Sequence, residues 1–433
     1  MNITGAAGTG KTVALIHRAV HLAKKLTNPK SRVLVTNYTT NLSVTIKHHI
    51  KRLCPETAER IEVTNLHALA RILCARSGWK GRIAEDEDQE AIWEEVWIDP
   101  CSQDLPMSRD EIREEFKWII DANGIEDEEA YLTTVRTGRP RLDRQGRKRA
   151  WPVFRAFLRG LKKRNLLTFE GAIHQARLAA ENGSVPPYTH VLVDEVQDFS
   201  LEALRLIRAL SPIGQGTPDP LCTVGDGHQR IYRKKIPLSR AGIDIRGRSR
   251  RLKVNYRTSE EIRKYAQGIL KGLDIDDLDE GITQTTGDHS AFRGTEPMIE
   301  RCVDEMAEAE AIVAWIETLI EAHGFSSHEI CVVPHKDTMV KTLSQKGLSF
   351  HVLKINEEDP GPNYAGVRLG SMMRIKGLEF RAIAMACCDP ADPMNRLEEA
   401  DLLSRCERYV AATRAREHLL ITLAASRESS NGR

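Results

Sequence analysis

Two short segments of the chain combine residue types that can hold phosphate groups and a divalent metal ion. Residues 5–12 read GAAGTGKT, a glycine-rich loop that ends in Gly-Lys-Thr. Because glycine lacks Cβ, the backbone N–H groups of such a loop can crowd around phosphate oxygens at the start of a helix. Lys11 can reach the β- and γ-phosphates of a nucleotide, and the Thr12 hydroxyl can ligate Mg²⁺. The loop therefore predicts a phosphate site built from Gly5, Ala6, Ala7, Gly8, Thr9, Gly10, Lys11 and Thr12.

The second segment, VLVDEVQD at residues 191–198, is an apolar run that ends in two acids. The run predicts a buried strand, so both acids would lie at its carboxyl end. Asp194 is placed to hold the metal ion, and Glu195 is placed to orient an attacking water. Either segment alone occurs by chance in unrelated proteins. The two together predict an enzyme that binds and hydrolyses a nucleoside triphosphate on Mg²⁺.

Composition limits the class of protein without naming an activity. The chain has 433 residues, of which 41% are hydrophobic, enough for two to four domains with sizeable cores. No run of about eighteen apolar residues is available to cross a membrane. The nine cysteines contain no CxxC pair, which favours a reducing compartment over a disulfide framework. We expect a cytoplasmic, nucleoid-associated protein with no membrane partner.

The distribution of charge is more informative than the net charge of +2. Residues 136–164 hold twelve Lys or Arg and one acid, and residues 227–257 hold eleven Lys or Arg and one acid. Such segregated basic stretches suit a phosphate backbone. The alternative, two solvated loops, is equally consistent with the sequence.

The order of apolar runs predicts an α/β protein with parallel sheets. A glycine-rich loop and a helical pattern precede a strand-like run at residues 33–35, and further runs lie at 191–193 and 221–224. Residues 86–165 interrupt this order, because they are rich in Glu, Trp and Arg and have a helical pattern. A second set of strand-like runs lies at residues 330–333, 350–353, 367–369, 382–386 and 419–422. We predict a first lobe at 1–85 and 166–250, a helical insertion at 86–165, a second lobe at 251–425 and a flexible tail at 426–433.

Eight motifs in a fixed order resemble those of the UvrD/Rep-type helicases of superfamily 1. They read GAAGTGKT, VTNYTTN, VTNLH, VDEVQD, VGDGHQRIY, LKVNYRTS, RIKGLEF and ERYVAATRA. The resemblance implies two RecA-like P-loop NTPase lobes with parallel sheets and a helical insertion in the first lobe. It also implies ATP and Mg²⁺ as cofactors, bound in a cleft between the lobes.

The resemblance assigns a catalytic set. Gln229 matches the glutamine that senses the γ-phosphate or its attacking water. Arg257 and Arg414 match two arginine fingers, which stabilise the charge that grows on the transferred phosphoryl group. Outside the family, a loop glutamine or a lone arginine is an ordinary surface residue. The implied catalytic residues are Glu195, Gln229, Arg257 and Arg414.

Further nucleotide contacts are implied in the same way. Tyr256 matches a tyrosine that stacks on the adenine, and Glu379 matches a contact to the ribose hydroxyls. Gly377 lies in the same loop as Glu379. Gln197 belongs to the same element as the two acids and would contact the γ-phosphate or couple to a neighbouring loop.

For the single strand of DNA, the resemblance implies a stacking aromatic residue and several phosphate contacts. Tyr38 aligns with an aromatic residue that stacks on a base, and stacking tolerates any sequence. The alternative roles are a core-edge residue for Tyr38 and a helix cap or core histidine for His67. At two positions the chain carries a cation where the family has a different polar or aromatic residue. The implied DNA contacts are Thr36, Tyr38, Thr64, His67, Lys234 and Arg374.

We therefore expect an ATP-dependent translocase or helicase that acts on single-stranded DNA or on a junction of single and double strands. The family implies movement from 3′ to 5′ and a role in DNA repair, recombination or defence. Two alternatives stay open. The short second lobe favours a DNA-stimulated ATPase subunit that needs a nuclease or repair protein and does not unwind alone. The four residues before the phosphate loop favour an inactive fragment truncated at its N-terminus, which the intact motifs oppose.

Overall fold

The computed structural model describes residues 1–136, 142–214, 218–229, 236–273, 278, 287–334, 336–354, 359–372, 374–388 and 398–424. Within these ranges the chain divides into two compact units. Unit 1 comprises Met1–Asn2, Ala14–Val224 and Arg233–Ser249, and unit 2 comprises Ile3–Val13, Gly225–Tyr232 and Arg250–Arg433. The phosphate loop is thus grouped with the C-terminal half of the chain, and the Asp194-Glu195 pair belongs to unit 1. The lobe boundaries derived from the sequence stay predictions.

The helices of the described residues are α1 (Lys11–Lys24), α2 (Thr40–Leu53), α3 (Leu66–Arg76), α4 (Asp86–Ile98), α5 (Arg109–Glu115), α6 (Glu128–Thr133), α7 (Arg144–Lys163), α8 (Phe169–Glu181), α9 (Leu201–Leu210), α10 (Glu260–Ile269), α11 (Glu305–Glu321), α12 (Asp337–Gln345) and α13 (Glu398–Ala412). The strands are β1 (Asn2–Gly5), β2 (Val33–Asn37), β3 (Ile61–Asn65), β4 (Arg82–Ile83), β5 (Leu166–Leu167), β6 (His190–Val193), β7 (Leu221–Gly225), β8 (Ser249–Leu252), β9 (Val254–Asn255), β10 (His289–Ser290), β11 (Met298–Cys302), β12 (Ile330–Val333), β13 (Phe350–Val352), β14 (Val367–Leu369), β15 (Phe380–Cys388) and β16 (Ala415–Ala424).

The sheet of unit 1 brings several polar strand ends to one edge. Within this unit its strands lie in the order β3-β2-β6-β7, and β2 pairs in parallel with both β3 and β6. The runs at 33–35 and 191–193 are fully buried, as expected for a parallel sheet covered on both faces. The register aligns Thr36 with Thr64 and with Val193. Because the carboxyl ends of parallel strands meet at one edge, Asp194 follows its strand next to the ends of β2 and β7.

The segment between β4 and β5 is helical and has a core of its own. Buried side chains of α4, α5, α6 and α7 form this core around stacked aromatic rings. Trp93 of α4 lies over Phe157 of α7, with ring centroids 4.1 Å apart, and Phe116 packs edge-on against Phe157 at 4.6 Å. Glu115 is buried and pairs with Arg136 at 2.5 Å. This core fixes α7 so that one side of the helix is buried and the other faces solvent.

Unit 2 contains a second sheet, with strand order β11-β16-β15-β12-β14-β13 and parallel pairing between all neighbouring strands. Alternate residues of β15 point to opposite faces, as the period of two requires. Ile383 and Met385 pack with α10 and α13, whereas Ala382 and Ala384 pack with α11 and α12. The predicted α/β class with parallel sheets is confirmed. The five strand-like runs predicted after residue 330 are confirmed as β12 to β16.

Strands β4, β5 and β8 to β11 were not predicted. Four of them have only two residues, too few to give a pattern. β11 reads MIERC, and four of its five residues are exposed, so it lacks the alternation that identifies a half-buried strand. Among the described residues, no helix is both long and apolar enough to span a bilayer.

Candidate functional site

The phosphate loop of unit 2 has a left-handed backbone at two positions, which favours glycine there. The loop joins the end of β1 to the start of α1, and Gly8 and Gly10 have φ values of 76° and 80°. A Cβ on Gly8 would lie 2.3 Å from Oδ1 of Asn255 and 2.7 Å from Cβ of Arg257. A Cβ on Gly10 would meet nothing within 4 Å, so there the constraint is the left-handed backbone alone. The geometry is that of a cradle in which backbone N–H groups can approach an anion closely.

Two side chains hold the loop in shape. The Lys11 ammonium donates to the carbonyl oxygens of Gly5 and Ala6, both at 2.9 Å. The Thr9 hydroxyl donates to the carbonyl of Ala6 at 2.8 Å. Lys11 is only 7% exposed, so its charge is kept close to the loop. Thr12 follows as the second residue of α1.

The segment 255–257 closes against the phosphate loop within unit 2. Oδ1 of Asn255 accepts the backbone N–H groups of Arg257 at 2.8 Å and of Thr258 at 3.1 Å, which fixes a tight turn. The backbone N–H of Tyr256 donates to the carbonyl of Gly8 at 2.9 Å, while its ring is 66% exposed. The Arg257 guanidinium pairs with Glu379 at 2.5 Å. The turn therefore brings Tyr256, Arg257 and Glu379 to the phosphate loop, with the Tyr256 ring accessible for stacking.

A second buried group surrounds Asp226, which follows β7. Oδ1 of Asp226 accepts from the backbone N–H of His228 at 3.1 Å and from its Nδ1 at 2.7 Å, and Oδ2 accepts from Nε2 of Gln229 at 2.8 Å. Burial raises the pKa of the Asp226 carboxyl, but His228, Lys11 and Gln229 together outweigh it and hold that pKa well below its usual value. Asp226 is therefore a buried carboxylate at neutral pH.

Both the nitrogen and the oxygen of the Gln229 side-chain amide are hydrogen-bonded. Its Nε2 donates to Asp226, and its Oε1 accepts from Nη2 of Arg414 at 2.9 Å. The Gln229 backbone carbonyl accepts from the Lys376 ammonium at 2.8 Å. Gln229 and Arg414 are each 2% exposed. Because a carboxylate can only accept and a guanidinium can only donate, this arrangement permits one orientation of the amide.

Tyr409 of α13 connects the two groups. Its ring centroid lies 5.7 Å from that of His228, and its hydroxyl lies close enough to the backbone of Ala7 in the phosphate loop to interact with it. Burial and the nearby Asp226 carboxylate raise the pKa of the Tyr409 hydroxyl above its usual range, so it stays protonated. Unit 2 thus joins the phosphate loop, Asp226, Gln229, Arg257 and Arg414 in one continuous polar cluster.

Unit 1 holds Asp194, one of the two predicted metal ligands, and Glu195, the predicted base. The backbone N–H of Asp194 donates to the carbonyl of Thr36 at 2.9 Å, which places Asp194 at the end of β6 beside β2. Glu195 has a left-handed backbone with φ of 51° and ψ of 42°, and its N–H donates to Oδ1 of Asp194 at 3.0 Å. The amide of Gln197 donates to Glu195. A left-handed non-glycine residue is strained, and here it lies directly after the end of β6.

The predicted DNA residues of unit 1 are grouped around an aromatic cluster. The rings of Tyr38 and His67 meet edge-on with centroids 5.5 Å apart, and His67 meets Phe169 at 5.3 Å. Phe169 is 55% exposed at the start of α8. Thr64 is half-buried, whereas Thr36 is fully buried and its hydroxyl has no hydrogen-bond partner among the described residues. The exposed part of this group is therefore aromatic.

The other predicted positions lie in unit 2 or outside the described ranges. Arg374 and Gly377 are exposed, and Gly377 has φ of 91°. Lys234 lies outside the described residues. No group of three or more His, Cys, Asp or Glu side chains in the described part of the chain has the arrangement of a metal site. Mg²⁺ at a phosphate site needs only one or two protein oxygen ligands, so Thr12 and Asp194 suit it by type.

Sequence reasoning missed several members of these clusters. Asp226, Asn255 and Tyr409 each lie within five positions of a selected residue, and all three are polar residues inside the quoted motifs. Phe169 was missed because an aromatic residue at a helix start normally packs inward. Its position directly after the N-cap Thr168, on an exposed helix end, could have identified it.

The known proteins that this chain resembles are all described as helicases. Residues 1–235 match the model of the UvrD/REP helicase N-terminal domain. The chain is 25% identical over 311 residues to DNA helicase IV of Escherichia coli (strain K12), an alignment that covers 62% of this chain and 44% of that protein. It is 23% identical over 460 residues to a probable DNA helicase of Mycoplasma pneumoniae, covering 98% of this chain and 80% of that protein. The chain thus spans less than half the length of DNA helicase IV.

A third curated relative and one solved structure were also similar. A probable DNA helicase II homolog of Mycoplasma capricolum is 22% identical over 379 residues, covering 82% of this chain and 50% of that protein. The C-terminal domain of a possible DNA helicase from Lactobacillus plantarum WCFS1 aligns with 39% of this chain and 87% of its own, at 16% identity and a TM-score of 0.28.

Proposed function

We propose that this chain is an ATP-driven motor on single-stranded DNA. The chain belongs to the UvrD/REP helicase family, because the family model matches more than half of the residues of the chain. In this proposal the chain has two RecA-like lobes. It hydrolyses ATP on Mg²⁺ and moves from 3′ to 5′. DNA repair, recombination or defence is its setting.

One observation carries the proposal. Gln229 and Arg414 are 185 positions apart in sequence, and their side chains are hydrogen-bonded at 2.9 Å in the unit that also holds the phosphate loop. Within this unit the backbone N–H of Tyr256 donates to the carbonyl of Gly8, and the Tyr409 hydroxyl lies near the backbone of Ala7. A glutamine and an arginine joined beside a phosphate cradle suit the sensing of a γ-phosphate and the stabilisation of its transition state.

Each polar group then has a defined task. The phosphate loop and Lys11 bind the phosphates, and Arg257 and Arg414 stabilise the charge that develops on the transferred group. Glu195 accepts a proton from the attacking water, which Gln229 orients. Thr12 and Asp194 would hold Mg²⁺, which supplies electrostatic stabilisation to the phosphate oxygens when it is bound.

Movement along DNA needs contacts whose strength does not depend on the base sequence. The aromatic cluster of Tyr38, His67 and Phe169 offers ring faces, and base–aromatic stacking contributes about 1–3 kcal/mol per base whatever the base. Arg374, exposed in unit 2, suits a contact with the phosphate backbone.

The test is ATP turnover with and without single-stranded oligonucleotides. We expect stimulation by single strands, and Arg414→Ala should reduce kcat far more than it raises KM, because the guanidinium acts on the transition state. A turnover that does not respond to single-stranded DNA would refute the motor. Unwinding of a forked duplex by the chain alone separates a helicase from the alternative, an ATPase subunit that depends on a nuclease or repair partner.

A further inference from the structure

A buried histidine of helix α8 lies between two carboxylates that come from different parts of unit 1. His174 is 7% exposed, and its Nδ1 lies 2.7 Å from Oε1 of Glu202 on α9. Its Nε2 lies 3.1 Å from Oε1 of Glu126, just before α6, as an ion pair without the alignment of a hydrogen bond. Glu202 is completely buried, whereas the Glu126 side chain is 65% exposed. One carboxylate is therefore fixed in the interior, and the other can turn into solvent.

The segment that carries Glu126 belongs to the helical insertion between β4 and β5. Ile125 is buried in the core of that insertion. Gly124 has φ of 62°, and a Cβ there would lie 2.4 Å from Nδ1 of His174 and 2.8 Å from Cδ of Glu202. Both the left-handed backbone and the lack of space favour glycine. The insertion thus packs directly on α8 and α9 at the histidine.

Two further hydrogen bonds join the same segment to these helices. The hydroxyl of Thr168, the N-cap of α8, donates to Oδ1 of Asp121 at 2.7 Å. Nη1 of Arg205 on α9 donates to the carbonyl of Asn123 at 3.4 Å. A hydroxyl and a guanidinium keep their protons near neutral pH, whereas an imidazole does not. A response of this contact to pH near neutrality therefore comes from His174.

Both carboxylates can be satisfied only by a charged imidazole. A neutral ring has one N–H and one bare nitrogen, so one carboxylate would face a lone pair. An imidazolium carries a proton on each nitrogen and attracts both. The other charged groups beside the ring are the guanidinium groups of Arg177 on α8 and Arg205 on α9, and both of them donate to Glu202.

These neighbours determine the direction in which His174 titrates. Burial lowers the pKa of the His174 imidazole, but the hydrogen bond with Glu202 and the charges of Glu202 and Glu126 outweigh burial and the repulsion of Arg177. The pKa therefore lies above its usual value of 6.5. Burial raises the pKa of the Glu202 carboxyl, but His174 and Arg177 hold that pKa below its usual value. A charged ring between two carboxylates is thus the favoured state at mildly acidic pH.

We propose that His174 is a pH-sensitive latch that holds the helical insertion against α8 and α9. Below about pH 6.5 the imidazolium attracts both carboxylates, and the latch is closed. As the pH rises through the pKa of the folded protein, the ring loses one proton. Glu202 cannot reach water, so the remaining proton stays on Nδ1, and Glu126 then faces a lone pair and turns into solvent. The stability that the latch contributes is therefore present at lower pH and lost as the pH rises.

The experiment uses the full chain and one carboxylate at a time. Glu126→Gln removes the exposed partner of His174. Glu129→Gln is the matched control, because it removes the same charge from an exposed position at the start of α6. The imidazole signals of the fourteen histidines are followed by NMR from about pH 5.5 to about pH 9, and His174 is assigned by the loss of its signal in His174→Gln. Amide hydrogen exchange of residues 121–127 is measured at both ends of this range, relative to the intrinsic rate at each pH.

In the wild type, His174 should titrate above pH 6.5, and the neutral ring should carry its proton on Nδ1. Its midpoint should fall in Glu126→Gln and stay close to the wild-type value in Glu129→Gln. At the acidic end, residues 121–127 should exchange about two- to fivefold faster in Glu126→Gln than in the wild type, the range expected for the loss of an exposed ion pair. At the alkaline end the two proteins should agree, because the latch is already open.

A wild-type midpoint below 6.5, or a neutral ring with its proton on Nε2, would overturn the proposal without the need for any variant. An identical midpoint in the wild type and in Glu126→Gln would do so too, as would an exchange difference that is the same at both ends of the range. Neither measurement uses ATP or DNA, so the outcome does not depend on the motor proposal.

Discussion

Asp226→Asn is the most informative substitution in the cluster, because it changes one carboxylate oxygen to an amide nitrogen without changing shape. Oδ1 of Asp226 accepts from the backbone N–H and from Nδ1 of His228, and Oδ2 accepts from Nε2 of Gln229. An amide retains one acceptor oxygen. Its nitrogen must therefore face either the donors of His228 or the donor Nε2 of Gln229.

The size of the effect follows from the hydrogen bond that is lost. A hydrogen bond to a charged group contributes about 1.5–3 kcal/mol, and a buried donor left unsatisfied costs a similar amount. If the Gln229 amide turns over to avoid the new nitrogen, its own NH₂ group faces the donors of Arg414. We expect kcat for ATP to fall about 10- to 150-fold, since 1.36 kcal/mol corresponds to a factor of ten in rate. KM should change little, because the phosphate loop is untouched.

The assay is steady-state ATP turnover in the presence of single-stranded DNA, with a melting curve to show that the variant is folded. Asp244→Asn is the matched control: it removes one charge from an exposed carboxylate that is paired with Arg246. A folded Asp226→Asn protein with kcat within threefold of wild type would refute the claim that Asp226 orients Gln229.

A second substitution distinguishes the hydrogen bond between positions 226 and 229 from its effect on ATP turnover. Gln229→Glu alone places two carboxylates in contact and should lower Tm through their repulsion. Adding Asp226→Asn supplies a donor between them, while the new carboxylate at 229 still accepts from Arg414. The double variant should therefore recover part of the lost Tm without recovering turnover. Additive losses in Tm would show that positions 226 and 229 are not coupled.

Three further substitutions test other parts of the molecule. Glu195→Gln should reduce hydrolysis about 10²- to 10⁴-fold and leave ATP binding near wild type, measured with a fluorescent analogue; normal turnover would remove Glu195 as the base. Gly8→Ala should abolish ATP binding, because its Cβ would lie 2.3 Å from a neighbouring side-chain oxygen. Gly10→Ala adds only backbone strain of about 1–2 kcal/mol. Equal Tm losses for the two variants would contradict this difference. Hydrogen bonds from Arg263 lower the pKa of the Glu260 carboxyl from 4.5 to about 2. Its contribution to stability is thus present above about pH 4.5 and lost as the pH falls through 2, so Glu260→Gln should flatten the acid limb of Tm against pH; an identical limb would exclude this role.

The sequence by itself determined the features that depend on neighbours along the chain. The glycines before Lys11 indicated a phosphate loop because left-handed backbone is a local property of glycine. The buried runs that became β6, β12 and β15 were recognisable because the strands of a covered parallel sheet are continuously apolar. The amphipathic pattern of α7 is also local, and it contains both a buried apolar side and an exposed side rich in Lys and Arg.

Only the tertiary structure decided which distant residues meet. The Gln229–Arg414 hydrogen bond, the fit of Gly8 against Asn255 and the contact of Tyr409 with Ala7 join segments up to about 400 positions apart, so no local pattern encodes them. The grouping of the phosphate loop with the C-terminal half is of the same kind. Burial was decided there too: Thr36 has the residue type of a phosphate contact, yet the sheet covers it completely. Side-chain chemistry is a property of the residue, but its partners and its access to solvent are properties of the packed chain.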